Sequence, residues 1–183
     1  MKHCGTVRLE TERLVLRRFT AEDAQAMYRN WASDGEVTRF LTWPAHAGPE
    51  VSKAVLEEWV RAYESESFYQ WAIVPKEPET GPVGSISAVS VNDSISMVHV
   101  GYCIGRRWWH RGITSEALKA VIDFFFDRVG ANRIESRHDP RNPRSGLVMR
   151  RCGMTYEGTM RSADRNNQGI CDAAFYAILK SDR

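Results

Sequence analysis

The sequence predicts an α/β fold in which one mixed sheet carries helices on its faces. Short alternating or β-branched runs recur in both halves of the 183-residue chain, and apolar-striped helices lie between them. Three consecutive strands joined by turn signals precede a strand–turn–helix unit near residue 100. This order of elements is typical of a mixed sheet covered by helices. No repeat or linker divides the chain, so we expect one domain over residues 1–183.

The first half begins with an irregular polar stretch, residues 1–12, followed by a strand over 13–18. Thr20 and Asp23 fit a capping box, which predicts a first helix of about three turns that ends near Trp31. Glycine and proline predict an irregular connection over 32–49, and apolar residues four apart predict a second helix over 49–63. Strands are then predicted over 68–74, 83–91 and 95–104, with turns at 75–82 and 92–94.

The second half starts with a helix that opens at Gly112 and runs to about residue 126 or 129. A short strand over 133–137 and a proline-rich break over 139–143 follow. The next predicted helix covers 145–152, and Gly153 gives it a clear stop. Two closing strands, 155–161 and 170–179, are expected to be separated by a polar loop over 162–169.

Composition excludes several classes of protein. An apolar fraction of 43% with 10% aromatic residues is enough for a sizeable core. Lys plus Arg number 25 against 23 acidic residues, and a net charge of +2 predicts no general attraction to nucleic acid or membrane. The four cysteines lack metal-ligand spacing, so no metal site is expected. With no signal peptide or membrane span apparent, we expect a reduced, cytoplasmic protein.

The stretch 98–126 predicts an anion site. A strand feeds a helix through a basic and aromatic turn, which leaves unpaired N–H groups at the positive end of the helix dipole. The chain lacks the GxxxxGK[ST] phosphate loop, and Gly101, Gly105 and Gly112 do not have dinucleotide-fold spacing. Such a turn also occurs as plain structure, so both interpretations stay open on these residues alone.

The segments GY (101–102) and WHRGITSEA (109–117) resemble the acetyl-CoA signature of the GCN5-related N-acetyltransferases, the GNAT superfamily. More narrowly, they resemble the branch that acetylates the N-termini of ribosomal proteins. The resemblance continues through TERLVLR (11–17), NPRS (142–145), RCGM (151–154) followed by EG (157–158), and Asp172 with Tyr176. It implies a mostly antiparallel sheet of six to seven strands with helices on both faces. It also implies acetyl-CoA as co-substrate and a homodimer as an assembly that is common in the family.

The resemblance also assigns cofactor contacts. A free strand edge would pair with the pantetheine arm of acetyl-CoA, and arginines would add charge beside its pyrophosphate. Asn142 matches a position that hydrogen-bonds this arm, whereas His110 and Thr114 stand where small residues are usual. The full set implied is Tyr102, Cys103, Ile104, Arg106, Arg107, Arg111, Gly112, Ile113, Thr114, Ser115 and Asn142.

Three positions are implied as catalytic. Ser145 matches a hydroxyl that can protonate the leaving thiolate. His99 stands where a glutamate is usual, and it would either take a proton from the amine through water or only pack within its strand. Asp164 matches a carboxylate of the ribosomal-protein branch, or it is a solvated turn residue. Candidate acceptor contacts lie in or beside the first irregular connection, at Trp31, Glu36, Phe40, Trp43 and His46.

The sequence therefore predicts an acetyl-CoA-dependent N-acetyltransferase whose leading acceptor is a protein N-terminal α-amine. An α-amine with a pKa near ~8 is partly neutral at pH 7, whereas a lysine at ~10.4 is mostly charged. A small-molecule amine (an amino acid, polyamine or aminoglycoside) is the alternative acceptor. A non-catalytic acetyl-CoA-binding module and a plain interaction domain are the alternatives from other classes.

Overall fold

The computed structural model describes residues 1–77 and 81–183, which form an eight-stranded sheet in the order β1-β2-β3-β4-β5-β6-β8-β7. Every neighbouring pair is antiparallel except β5 and β6. The strands are β1 (Leu9–Glu10), β2 (Leu14–Arg17), β3 (Gln70–Pro75), β4 (Gly84–Asn92), β5 (Met97–Ile104), β6 (Arg133–His138), β7 (Thr155–Asn166) and β8 (Gly169–Leu179).

Five α-helices accompany the strands in the described ranges. They are α1 (Ala24–Met27), α2 (Gly35–Thr38), α3 (Pro49–Ala62), α4 (Ile113–Phe124) and α5 (Pro143–Arg151). A 3-10 turn (Ala21–Asp23) and a π turn (Tyr28–Ala32) extend α1 at its two ends, and another π turn (Phe125–Val129) extends α4. The capping box of Thr20 and Asp23 is confirmed.

Helices cover both faces of the sheet. Alternate residues of a strand point to opposite sides, so each face can be identified by the helices that its side chains contact. In β3, Trp71 and Ile73 belong to the core cluster that contains α4 and α5, whereas Ala72 belongs to a second cluster with residues of α1 and α3. The first cluster holds an aromatic group in which the rings of Trp71 and Phe124 lie 5.4 Å apart at 79°. The predicted mixed sheet with helices on both faces is therefore confirmed.

The structure corrects several predicted boundaries. The sheet has eight strands rather than six to seven, since the two-residue β1 pairs with β2 inside the stretch expected to be irregular. The connection over 32–49 contains the one-turn helix α2. Helix α5 begins at Pro143, two residues early, because Pro is favoured in the first helical turn. Of the turn predicted at 75–82, residues 78–80 lie outside the described ranges.

The loop predicted over 162–169 is wrong. Strand β7 runs to Asn166 and β8 starts at Gly169, so only two residues form the turn. The pairing of β7 with β8 shifts register between Met160 and Asp164, and Ser162 has a φ of +49°. Such a bulge adds unpaired residues and breaks the alternating pattern on which the strand prediction depended.

Candidate functional site

The parallel strands β5 and β6 diverge after a short paired stretch. Their pairing covers three positions and ends where His99 faces Glu135. Beyond that point β5 continues to Ile104 beside β4, while β6 continues beside β8. Residues 100–104 of β5 therefore present a free backbone edge toward the gap. An extended ligand carrying amide groups can pair with such an edge.

The turn between β5 and α4 has the geometry of an anion site. Gly112 is the residue before the helix, has a φ of +74° and supplies no side-chain cap, so the first N–H groups of α4 remain available. A Cβ added at Gly112 would meet only Arg13, whose Nη2 would lie 3.4 Å away. His110 has a φ of +63°, a backbone conformation that glycine adopts without strain, which explains why glycine suits its position. This open helix start fits a pyrophosphate.

A cavity of about 470 Å³ joins the free edge of β5 to the start of α4. Its size is within the range of small-molecule sites. Most of the residues assigned to the cofactor, together with Ser145, meet in its lining. The predicted residues that line it are Tyr102, Cys103, Ile104, Gly112, Ile113, Thr114, Ser115, Asn142 and Ser145. Their contact with a cofactor stays a prediction.

The three arginines assigned to the pyrophosphate do not line this cavity. Nε of Arg106 donates to Oδ2 of Asp34 at 2.8 Å, which ties the turn after β5 to the start of α2. The guanidinium of Arg107 lies 5.8 Å from the centre of the Trp108 ring. The backbone carbonyl of Arg111 accepts a hydrogen bond from Arg13. Their roles toward a bound phosphate stay predictions.

The sequence did not predict a group of hydrogen bonds that holds the turn before α4 from behind. The Arg13 guanidinium donates from Nη1 to the carbonyl of Arg111 at 3.0 Å and from Nε to Glu116 Oε2 at 2.7 Å. Glu116, in the first turn of α4, also accepts from Thr11 at 2.5 Å. The TERL segment that carries the family resemblance thus fixes the backbone of the anion site. The one available signal was that this segment belongs to the family resemblance, because no local pattern reveals a contact across about 100 residues.

Ser145 and Tyr102 form a hydrogen-bonded pair at the cavity wall. Ser145 Oγ donates to Tyr102 Oη at 3.1 Å, and Tyr102 Oη donates to the backbone carbonyl of Ser145 at 2.9 Å. Burial raises the pKa of Tyr102 far above its usual range, so its hydroxyl stays protonated. The pair can orient the serine hydroxyl at the cavity wall.

The other two catalytic candidates lie in one charged group at the point where β5 and β6 diverge. His99 is 7% exposed, and its Nδ1 lies 3.3 Å from Glu135 Oε1. Arg137 Nε donates to Asp164 Oδ2 at 2.7 Å. Burial lowers the pKa of His99, although the carboxylates of Glu135 and Asp164 act against that shift. Neither candidate lines the cavity.

The opposite wall comes from the segment between α1 and α3. Glu36 and Phe40 line the cavity, as do Arg39 and Leu41. The remaining aromatic candidates of this region do not. Trp31 is fully buried in the second core cluster, and Trp43 packs against His46 with ring centres 5.2 Å apart.

Two negative findings apply to the described residues, 1–77 and 81–183. No group of three or more His, Cys, Asp or Glu side chains within them could hold a metal ion. No helix there is long and apolar enough to cross a membrane.

Comparisons with known proteins agree with this geometry. The family model described as an acetyltransferase (GNAT) domain matches residues 13–155. An uncharacterized N-acetyltransferase, p20 of Bacillus licheniformis, is 26% identical over 95% of the chain and 97% of its own length. The [ribosomal protein uS5]-alanine N-acetyltransferase of Escherichia coli K12 is 30% identical over 83% of the chain and 80% of its length.

A solved structure shows the same fold. The ribosomal-protein-S5-alanine acetyltransferase from Vibrio fischeri superposes with a TM-score of 0.83 at 22% identity, covering 96% of this chain and 98% of that one. The family model spans most of the sequence, and the free edge of β5 and the open start of α4 agree with it. The chain belongs to the GNAT family and is an N-acetyltransferase that uses acetyl-CoA as its co-substrate.

Proposed function

We propose that this enzyme acetylates the N-terminal α-amine of a protein, with a ribosomal protein as the leading acceptor. The observation that carries this proposal is the 30% identity to a uS5-alanine N-acetyltransferase over 83% of the chain. An α-amine also suits a site without a strong base in the cavity, since its pKa near ~8 leaves part of it neutral at pH 7. A ribosomal acceptor would put the enzyme in the cytoplasm.

His99 is the proposed acceptor of the ammonium proton, acting through water. Glu135 can only accept a hydrogen bond as a carboxylate, so Nδ1 of His99 carries the hydrogen and Nε2 keeps its lone pair. The lowered pKa keeps the imidazole neutral near pH 7. Asp164 acts at longer range, because its charge raises the proton affinity of His99 while its own oxygens hold Arg137.

Ser145 is the proposed acid. Acetyl-CoA supplies an acetyl thioester whose departing sulfur requires a proton. As the amine nitrogen bonds to the acetyl carbon and the C–S bond breaks, Ser145 Oγ delivers that proton to the sulfur, and the Tyr102 hydroxyl holds the serine in position for it. Ser145 regains a proton from solvent water, and the proton that the amine loses passes through His99 to solvent, so the exchange balances. The backbone of residues 102–104 orients the pantetheine arm, and the N–H groups at the start of α4 hold the pyrophosphate.

The charged residues that line the cavity favour some small-molecule acceptors over others. Four arginines line it, whereas Glu36 is the one carboxylate among the described lining residues. The arginines are Arg39, Arg141, Arg144 and Arg151. Such a lining disfavours a polyamine or an aminoglycoside, since like charges would have to come together in a partly desolvated space. Among small molecules, it favours an amino acid, whose carboxylate an arginine can bind.

A thiol-release assay with acetyl-CoA tests the acceptor. The probes are an Ala-initiated hexapeptide, the same peptide with an acetylated N-terminus and an internal lysine, free alanine, spermidine and kanamycin. We expect turnover with the free peptide and none with the blocked one. Faster turnover with alanine would replace the proposal by its small-molecule alternative. Binding of acetyl-CoA without turnover of any amine would favour the non-catalytic module.

A further inference from the structure

The tip of the β7–β8 hairpin contacts the wall formed by the segment after α1. The side-chain amide of Asn167 donates to the carbonyl of Thr38 at 2.8 Å and to that of Trp43 at 2.7 Å. Its backbone N–H donates to the carbonyl of Leu41 at 3.0 Å. One residue therefore binds three carbonyls of a segment more than 120 positions away in the chain.

The preceding residue holds the opposite wall. Asn166 is 8% exposed, and its Nδ2 donates to Oδ2 of Asp139 at 2.8 Å. The same carboxylate binds the guanidinium of Arg141, whose Nη2 lies 2.6 Å from it. Arg141 lines the cavity, as does the segment that Asn167 holds. The hairpin tip thus joins the two sides of the acceptor end.

The wall segment, residues 35–43, contains little regular structure of its own. Helix α2 is a single turn, and its cap Asp34 is tied to Arg106 at one end. In the described part of the chain, every hydrogen bond that reaches residues 35–43 from a distant position comes from Asn167. A short helix of this kind is unstable without outside contacts. Val37 packs into the second core cluster, and Asn167 adds the distant hydrogen bonds that fix the backbone on either side of Phe40 and Leu41.

We propose that Asn167 is a positioning residue that fixes the acceptor wall, residues 36–41, and thereby determines which amines fit. The proposal rests on the function proposed above, since it treats this side of the cavity as the acceptor end. The cofactor end is built from residues 100–104 and the start of α4, which Asn167 does not touch. Loss of the Asn167 side-chain hydrogen bonds should therefore weaken acceptor binding and leave acetyl-CoA binding unchanged.

The test is the isosteric variant Asn167→Asp. It keeps the shape and the backbone hydrogen bond but removes two N–H donors and sets a carboxylate against two carbonyl oxygens. We expect the KM for the Ala-initiated hexapeptide to rise about tenfold, kcat to change less, and the Kd for acetyl-CoA to stay within about twofold. Hydrogen exchange at the amides of Val37, Thr38 and Leu41 should become faster.

Asn92→Ala is the matched control. Asn92 accepts two hydrogen bonds from Ser94 at a hairpin turn that does not line the cavity. Asn92→Ala should lower Tm by about as much as Asn167→Asp does, without changing the acceptor KM or the hydrogen exchange of the amides of Val37, Thr38 and Leu41. An unchanged exchange rate in Asn167→Asp overturns the proposal, and so does faster exchange with an unaltered acceptor KM. If the wild type acetylates no probe amine, the proposed function fails, and the exchange rates alone decide whether Asn167 fixes the wall.

Discussion

The two ends of the cavity are built in different ways. The end assigned to the cofactor, called the cofactor end, consists mainly of backbone from one continuous stretch, the free edge of β5 and the first turn of α4. The end assigned to the acceptor, called the acceptor end, is held together by single side chains from separate parts of the sequence. Asn167 and Arg106 bind the segment after α1, and Asn166 binds Asp139 in the loop after β6. An end made of backbone tolerates side-chain replacement, whereas an end held by single side chains changes with each of them.

The largest expected effect breaks the cofactor end. Gly112→Asp puts a β-carbon and a charge on a residue with a φ of +74° at the start of α4. We expect acetyl-CoA affinity to fall by about 100-fold or more in calorimetry, because the carboxylate would face the phosphates. Gly130→Asp is the control. Gly130 also has a positive φ, 78°, but a Cβ there meets nothing within 4 Å. Equal affinity losses in both variants would contradict the anion site.

Next in size is the effect of Ser145→Ala on turnover. Loss of a group that moves a proton costs roughly 100-fold or more in rate, and we expect such a fall in kcat with little change in the Kd for acetyl-CoA. Tyr102→Phe is the comparison, since it keeps the ring and removes the hydroxyl that accepts from Ser145 at 3.1 Å. It should lower kcat less than Ser145→Ala does. A wild-type kcat in Ser145→Ala would remove the serine from the mechanism.

His99→Gln should lower kcat about tenfold and flatten the acid limb of the pH–rate profile, because the group that titrates is gone. Acetyl-CoA affinity should not change. A wild-type rate at every pH would mean that His99 only packs within β5.

The same variant has a separate signature in stability. Burial lowers the pKa of His99 below the value near ~6.5 expected for the unfolded chain. The unfolded chain therefore binds more protons below that pH, and the free energy of unfolding falls as the pH drops through about 6.5. Denaturant titrations at pH 7.5 and 5.5 should show a smaller decrease for His99→Gln than for the wild type.

The smallest effect is expected from Asp164→Asn. The carboxylate raises the pKa of His99 from a distance, so its removal should move the acid limb of the pH–rate profile to lower pH. Its ion pair with Arg137 is partly exposed, and such pairs contribute less than about 1 kcal/mol. We expect kcat at pH 8 to change by less than about threefold. A much larger loss would give Asp164 a direct catalytic role.

The sequence predicted the cofactor end of the cavity better than the acceptor end. The open helix start at Gly112 was predictable, because the turn residues and the helix start are contiguous in sequence. The free strand edge was expected only from the resemblance to the family. The ties of Asn167 to Thr38 and of Arg106 to Asp34 were not, since local periodicity carries no signal for contacts across 72 or 129 positions. The extension of β7 was hidden by the bulge at Ser162, where the backbone leaves the strand conformation on which alternation depends.

The gap between β5 and β6 has a further consequence for the folded protein. In a continuous sheet, residues 100–104 would share hydrogen bonds with both neighbours, but here one side lacks a strand. A cofactor that paired there, as proposed above, would complete the sheet, and the acetyl donor would then act as a structural component. At 100 times its Kd, such a ligand adds about 2.7 kcal/mol to the free energy of unfolding. The resistance of this enzyme to heat and proteolysis should therefore follow the coenzyme A pool of its cell.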